Sequence, residues 1–396
     1  MSRGFRRGAA LTVVFAGAFA TASATGLLPR SDERPPAMQV TRAAAATAGR
    51  DEAGRDEAGR DEVARAAAEA MADGKSPAAA AEEVVSRSGD RWGAVYDKGE
   101  YEDFEQALGG TYTGVGLWAR RGADGRVEVA RVRRGGPAER AGIVAGDQLR
   151  TVDGEAIDGR PVSEVVSLLR GDGTGATAGS AVELGLQRGE RTWTETLRRA
   201  RVAREAVTVR RLDGDAVMIK VAAFTKGTGK RVRDAVRAAP AGAGVLLDLR
   251  GNSGGLVGEA VTAASAFLDG GLVATYDVDG EQKALYAEPG GDTDRPVVAL
   301  VDGGTMSAAE LLTGALKDRG RAVTVGTRTF GKGSVQMPER LPDGSVAELT
   351  VGHYRTPAGH DLDGKGITPD LAVGERDGER AEDRARTVLS GLGGGS

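Results

Sequence analysis

Pro296-Val297-Val298-Ala299-Leu300-Val301-Asp302-Gly303-Gly304-Thr305-Met306-Ser307-Ala308-Ala309-Glu310 is the stretch on which the fold turns. Its first half is a short, nearly all-apolar run that reads as a buried strand, and its second half opens a helix after a glycine turn. A serine at such a strand-to-helix turn has its hydroxyl beside free backbone N–H groups at the positive helix end, where a developing oxyanion would be stabilised. Ser307 is therefore a candidate nucleophile. Ser307-x-x-Glu310 equally fits a capping box, in which the serine closes the helix end and does no chemistry. Both readings are open at this point.

Outward from this stretch, strands and helices alternate: strand Val217 to Val221, helix to Ala239, strand Val245 to Leu249, helix Gly258 to Leu268, strand Val297 to Val301, helix Ser307 to Lys317, strand Ala322 to Val325. Such alternation predicts an α/β layer. A charged link at Arg198 to Arg204 separates it from an earlier region, Thr111 to about Arg199, built of short alternating strands with glycine turns. There Leu149 to Val152 runs into the turn Asp153-Gly154, and Pro161 to Arg170 reads as an amphipathic helix opened by proline. Ala66 to Leu108 has a helical pattern, with Val84, Val85, Trp92, Val95, Tyr96 and Phe104 as core positions. Asp51 to Arg65 repeats a five-residue unit (DEAGR, DEAGR, DEVAR) too poor in apolar residues to build a core and reads as a solvated spacer. A charged helical stretch near Glu379 to Leu389 ends in a Gly-rich tip.

The 396 residues carry a formal net charge of -4, so no overall positive field collects phosphates, and nucleic acid is not an expected partner. Cysteine is absent, which removes disulfides, thiolate nucleophiles and thiolate metal sites. The two histidines, His353 and His360, offer no metal-ligand spacing, and no metal is expected. Arg3, Arg6 and Arg7 precede an apolar run from Ala9 to about Ala20 and the small residues Ala22-Ser23-Ala24, a secretory signal pattern. Extended to Leu28, the run also fits a membrane anchor. Either way, the positive residues ahead of it place the rest of the chain outside the cytoplasm.

Two further segments carry the functional reading. Gly114-Val115-Gly116-Leu117, Gly136-Pro137-Ala138-Glu139-Arg140-Ala141-Gly142-Ile143 and Gly146-Asp147-Gln148-Leu149 together resemble a PDZ domain of the bacterial protease-associated kind. That resemblance implies that a substrate's C-terminal segment adds to a sheet edge while the Gly114–Leu117 loop cradles its carboxylate. Downstream, Gly326-Thr327-Arg328-Thr329-Phe330-Gly331-Lys332-Gly333-Ser334-Val335-Gln336 is nearly a P-loop. Gly333 stands where a P-loop needs Ser or Thr, and a strand rather than a helix follows, so phosphate binding is set aside. A lysine between two glycines in an apolar context points instead to a side chain brought close to another backbone.

Taken with Thr305 to Glu310, this segment resembles the carboxyl-terminal processing peptidases (tail-specific proteases, peptidase family S41), which are Ser-Lys serine peptidases. The likeness covers roughly Trp92 to Leu389 and includes Asp248-Leu249-Arg250-Gly251-Asn252-Ser253-Gly254-Gly255-Leu256 and Gly364-Lys365-Gly366-Ile367-Thr368-Pro369-Asp370. Met306, Ala309 and Ser253 depart from the family pattern without removing a catalytic group. The resemblance implies an α/β and β multidomain fold: a crotonase/ClpP-like α/β protease domain with an inserted PDZ domain and an N-terminal helical segment. The expected boundaries are a signal or anchor at 1–28, a linker at 29–65, a helical subdomain at 66–110, the PDZ domain at 111–200, the peptidase at 201–375 and a helical tail at 376–396.

By the same likeness Ser307 is the nucleophile, Lys332 the general base and Gln336 the residue that orients its amine. The Gly255 and Ala308 N–H groups are implied at the oxyanion hole, with Gly254 letting the loop approach. Lys332 must be neutral to act, so desolvation has to lower its pKa by about 2 to 3 units. No cofactor is expected, and the implied partners are exported or membrane proteins recognised by their C-terminal tails. Asp318 matches an acidic position of the family and is read either as functional or as a helix-end hydrogen-bonding residue. Three rival readings remain: a Ser-His-Asp triad using His353 or His360, a PDZ scaffold that has lost catalysis, and an acyl-CoA enzyme suggested by the sheet alone.

Overall fold

The computed structural model describes residues 59–122, 125–171, 176–213, 216–278, 281–374 and 378–393. The expected signal or anchor at 1–28 and most of the linker at 29–65 lie outside the described residues. The chain divides into two compact units, one formed by Glu102–Arg204 and the other by the segments on either side of it.

The second of these is a mixed α/β unit around a six-stranded sheet in the order Val207–Leu212, Ala216–Val221, Gly244–Asp248, Val297–Val301, Val323–Gly326, Leu371–Ala372. The first pair is antiparallel and the rest parallel. Both faces are covered, which is why Val297–Val301 is apolar at every position. Val297, Ala299 and Val301 face one core with Phe224, Leu247 and the helices Thr228–Ala238, Val257–Ala264 and Ala308–Asp318. Val298 and Leu300 face the other, under Ala381, Ala385 and Leu389 of the C-terminal helix Gly378–Gly393. The alternation expected from sequence is thus present. The helix expected to reach Leu268 stops at Ala264, where Ser265 turns its hydroxyl back to the Val261 carbonyl and accepts the Glu288 N–H.

A second, antiparallel sheet contains Ala94–Tyr96, Leu272–Val278, Glu281–Tyr286, Ser334–Arg340 and Val346–Arg355. It corrects the expected 66–110 helical subdomain. Ala94 pairs with Glu348 and Tyr96 with Val346, so this segment is part of the α/β unit rather than a body of its own. Trp92, Val95 and Tyr96, expected at helical spacing, lie after the helix Pro77–Ser88, Trp92 in a turn and the other two on the strand Ala94–Tyr96. The spacer reading is corrected at its end too: residues 59–72 are helical, and Val63 and Ala67 pack with Val84, Val85, Ala347 and Leu349. The third repeat copy has Val63 and Ala64 where the earlier copies have Ala and Gly, which supplies an apolar contact and removes a helix-weakening glycine.

The Glu102–Arg204 unit is a β-rich module. Its sheet runs Leu117–Arg121, Val127–Val132, Gln148–Val152, Ala181–Arg188, Arg191–Arg198, with Glu155–Ala156 paired to the third strand. Val129, Leu149, Val152, Val165, Leu184 and Leu186 form its core. The helix Val162–Arg170 packs beside Leu117–Arg121, which is an edge strand. The ends of the module are joined to each other: Thr111–Gly114 pairs with Ala200–Ala203, and the Arg204 N–H donates to the Gly110 carbonyl at 2.6 Å.

Candidate active site

Ser307 follows the buried strand Val297–Val301 and stands at the N-cap position of the helix Ala308–Asp318. Its backbone is in an unusual conformation, φ 54° and ψ −119°, outside the extended geometry usual at a cap. Such strain persists only where surrounding contacts over-determine it. Those contacts are present on three sides. The Met306 N–H donates to the Asn252 carbonyl (2.9 Å), and Asn252, fully buried, accepts from the Gly254 N–H (2.9 Å) and donates to the Val221 carbonyl (3.0 Å). Thr305 donates its hydroxyl to the Leu249 carbonyl and accepts the Phe330 N–H on its own carbonyl, both at 3.0 Å.

The third side is Glu310, which is completely buried. Its Oε2 accepts the Ser307 N–H at 2.9 Å and the Lys332 N–H at 2.8 Å, and its Oε1 accepts the Gly331 N–H at 2.7 Å and the Thr329 hydroxyl at 2.6 Å. The first of these bonds is the carboxylate arm of the capping box; the other three reach Thr329, Gly331 and Lys332 in the glycine-rich segment. One carboxylate therefore ties the backbone of Ser307 to that of Lys332. Burial pushes the Glu310 carboxyl up from its ordinary pKa, against the pull of these donors. The sequence reading saw Glu310 only as a capping partner; a second role was not visible because its other donors come from a segment about twenty residues away.

The segment 329–333 is fixed from its other side by Leu362–Ile367. Thr329 and Ile367 exchange hydrogen bonds, and the Gly364 N–H donates to the Gly331 carbonyl. A Cβ on Gly331 would lie 2.9 Å from the Gly366 nitrogen, and one on Gly333 2.5 Å from the Asp363 nitrogen. The two glycines flanking Lys332 are there because another backbone passes against them, as the sequence indicated.

Lys332 is 1% exposed, and its Nζ has no hydrogen-bond partner. Nζ lies 5.0 Å from the centroid of the Trp92 ring. Desolvation lowers its pKa from 10.5 to about 8, opposed by the charges of Glu348, Asp90 and Asp363. Gln336 is buried but turns its amide to the Ser334 hydroxyl (3.0 Å) and towards Thr350 (3.5 Å), so in this conformation it does not orient the amine as the resemblance implied. Ser307 Oγ and Lys332 Nζ are likewise not hydrogen-bonded to each other.

The loop of the implied oxyanion donors lies against the serine. A Cβ on Gly254 (φ +96°) would come within 2.9 Å of Ser307 Cβ and of the Met306 carbonyl oxygen, and 3.2 Å from the Ala308 nitrogen. Gly255 pairs with Phe224 in a parallel bridge. Ser253 is half-buried and leaves the loop's contacts in place. The Gly114–Leu117 loop opens the edge strand of the β-rich unit, with the Val115 carbonyl accepting from Ala138 and the Gly116 carbonyl from Arg133.

The remaining candidates sit elsewhere. Asp318 ends the helix that Ser307 begins, about 16 Å away along an eleven-residue helix. It accepts the Ala358 N–H at 3.0 Å and lies 3.8 Å from Nδ1 of the exposed His360. This Asp–His pair is at the wrong end of the helix to serve Ser307. His353 lies on the strand Val346–Arg355, opposite Ser334.

Residues 215–373 match the model of peptidase family S41, and residues 128–188 match that of a PDZ domain. The chain is 31% identical to the carboxy-terminal processing protease CtpA of Bacillus subtilis (strain 168), over 73% of this chain and 62% of that protein. It is 33% identical to the chloroplastic carboxyl-terminal-processing peptidase 2 of Arabidopsis thaliana, over 74% of this chain and 59% of that one. It thus spans about three fifths of the length of these relatives. A structure assigned as an S41 protease from Bacteroides fragilis NCTC 9343 has the same fold at 18% identity, with a TM-score of 0.51, covering 81% of this chain and 91% of that one. The sheet, the clamped serine and lysine segments and these likenesses together assign the chain to peptidase family S41, with a PDZ domain inserted ahead of the family segment.

Proposed function

We propose that the chain is a serine endopeptidase in which Ser307 is the nucleophile and Lys332 the general base. The observation that carries this is the Glu310 carboxylate, which fixes the backbones of both residues to one oxygen, Oε2. Lys332 would take the Ser307 proton as Oγ attacks the scissile carbonyl, return it to the leaving amine, and then activate water on the acyl-enzyme. With a pKa of about 8, about one lysine in ten is neutral at pH 7. The amine must then swing from the Trp92 ring to within hydrogen-bond reach of Oγ, about 2.6 to 3.2 Å. The Gly255 and Ala308 N–H groups are the proposed oxyanion donors, and Gln336 is the proposed partner of the amine once it has turned.

The substrates we propose are exported or membrane proteins cleaved near their C-termini. Their tails would add to the edge strand Leu117–Arg121, with the carboxylate at Gly114–Leu117. The N-terminal sequence supports an extracytoplasmic location, as a secreted or membrane-tethered protein. No helix among the described residues is long and apolar enough to cross a membrane, and the apolar run at 9–28 lies outside them. Cleavage of casein and of a tailed peptide by the full chain, beside Ser307→Ala, tests the reading. Turnover lost in the variant supports it; equal background in both proteins leaves a peptide-binding scaffold instead.

A further inference from the structure

Six charged side chains are buried among the described residues: Asp147, Arg199, Asp248, Glu310, Lys332 and Glu348. Four have close partners. Asp147 is held by Arg188, Arg199 donates to backbone carbonyls, Asp248 is held by Arg250 and Lys220, and Glu310 takes the donors already described. The exceptions are Lys332 and Glu348, whose Nζ, Oε1 and Oε2 all lack hydrogen-bond partners. An isolated buried charge is among the costliest features a fold can carry, so two unpartnered ones of opposite sign in one site are not independent.

Their placement follows from the strand pairing. On Val346–Arg355, Ala347 and Leu349 pack with the N-terminal helices, so alternation sends Glu348 and Thr350 to the opposite face. There Thr350 meets Gln336 and Asp90, and Glu348 stands opposite Pro338 of the strand that begins just after Lys332. The other acids around Lys332 are already engaged. Asp90 accepts from the Thr350 N–H and hydroxyl, both at 2.8 Å, and from the Trp92 N–H at 3.0 Å. Asp363 accepts from Trp92 Nε1 at 3.3 Å and from the Gly333 N–H at 3.2 Å. Tyr96, on the paired strand, is the other titratable group facing Glu348; burial and then the Glu348 charge push its hydroxyl up.

We propose that Glu348 is a positioning residue for Lys332: its carboxylate holds the lysine as an ammonium ion beside the Trp92 ring, away from hydrogen-bond reach of Ser307. The proposal rests on the peptidase reading for its consequence, since a base held as ammonium is idle. It does not rest on that reading for its geometry. The mutual effect is consistent in both directions. Burial raises Glu348 to about 7, opposed by Lys332, and the Glu348 charge is the first of those opposing the fall of Lys332 to about 8. A cation–π contact with Trp92 adds to the preference for the charged amine. Peptide binding that brings Lys332 to Ser307 must overcome this hold, so Glu348 sets the pH range in which the enzyme works.

The test is the pH profile of kcat/KM for casein cleavage by the full chain, compared among wild type, Glu348→Gln and Glu348→Asp. Without the carboxylate the neutral amine is reached at lower pH, so the acid limb of Glu348→Gln should move down by about one pH unit, while Glu348→Asp keeps it near the wild-type position. An unmoved limb, or one moved to higher pH, overturns the proposal. A titration of the wild-type chain carrying isotope-labelled lysine, with the Lys332 amine resonance identified by its loss in Lys332→Arg, needs neither a folded Glu348 variant nor activity. A step in that resonance as Glu348 titrates near neutrality supports the coupling, and a single step at the lysine's own titration refutes it. If the wild-type chain cleaves nothing, the peptidase reading fails while this measurement still decides the role of Glu348.

Discussion

Replacing Glu310 separates the structural and chemical roles of the site's central carboxylate. Glu310→Ala orphans four donors at once: the N–H groups of Ser307, Gly331 and Lys332 and the Thr329 hydroxyl. An unsatisfied buried donor costs about 1 to 3 kcal/mol, so even the low end sums to about 4 kcal/mol, a large share of a typical stability of about 5 to 15 kcal/mol. Glu310→Gln is milder. Its amide oxygen can still accept from Ser307 and Lys332 while its NH2 faces Thr329, whose hydroxyl can turn to accept. Only the Gly331 N–H is then left facing a donor, at about 1 to 3 kcal/mol. Urea unfolding of both variants, beside kcat on a peptide substrate, reads the difference. We expect Glu310→Ala to be near unfolding and inactive, and Glu310→Gln to fold with partial activity. If Glu310→Ala lost under about 1 kcal/mol and kept kcat near wild type, Glu310 would not be the tie between the two segments.

Further outcomes follow from the same geometry. In the unliganded enzyme the acid limb of kcat/KM should lie near pH 8: the base must be neutral, so activity falls about tenfold per pH unit below the Lys332 pKa and levels off above it. A limb near pH 6 to 7, carried by an imidazole, would point back to a histidine. Gly254→Ala puts a methyl group against Ser307 Cβ and the Met306 carbonyl at a positive φ, and we expect kcat to fall about 100 to 1,000-fold with KM little changed; unchanged kcat would remove this loop from the oxyanion site. Replacing Asp318 by Ala frees the Ala358 N–H and the exposed His360, a loss of about 1 kcal/mol. Its kcat, like that of His353→Ala with His360→Ala, should stay within about threefold of wild type, since Asp318 and His360 sit at the far end of the helix and His353 makes no hydrogen bond to Ser307.

The parts legible in the sequence are those whose cause is local. The strand Val297–Val301 announces itself by unbroken apolarity, and the alternation around it carries the parallel sheet. Gly331 and Gly333 signal a close backbone without naming it. What stayed hidden depends on pairings between distant segments. Trp92 looked like a helical core aromatic because nothing nearby shows that the next residues join a strand from the far end of the chain. Glu348 did leave a trace, a carboxylate set between Ala347 and Leu349 in an otherwise apolar run, but its meaning depends on Lys332 being buried and without a hydrogen-bond partner as well. Gln336 was read from likeness alone, and its amide points to Ser334 because that hydroxyl is two residues away on the same strand face.

The joined ends of the Glu102–Arg204 module bear on how this chain reaches its native state. Trp92 and Asp90 arrive early in synthesis, whereas Lys332, Glu348 and Asp363 arrive late, so the site is closed by contacts of very high sequence separation. Such topologies fold slowly, because the entropy of closing the loop is lost before the contacts form. A compact module that zips Thr111–Gly114 to Ala200–Ala203 takes the residues between those strands out of that loop. It delivers Gly110 and Arg204 as near neighbours before the last strand has been made. Beyond any part in catching substrate, the insert would thus serve as a kinetic shortcut: melting it should slow refolding of the flanking sheet even where it barely changes that sheet's final stability.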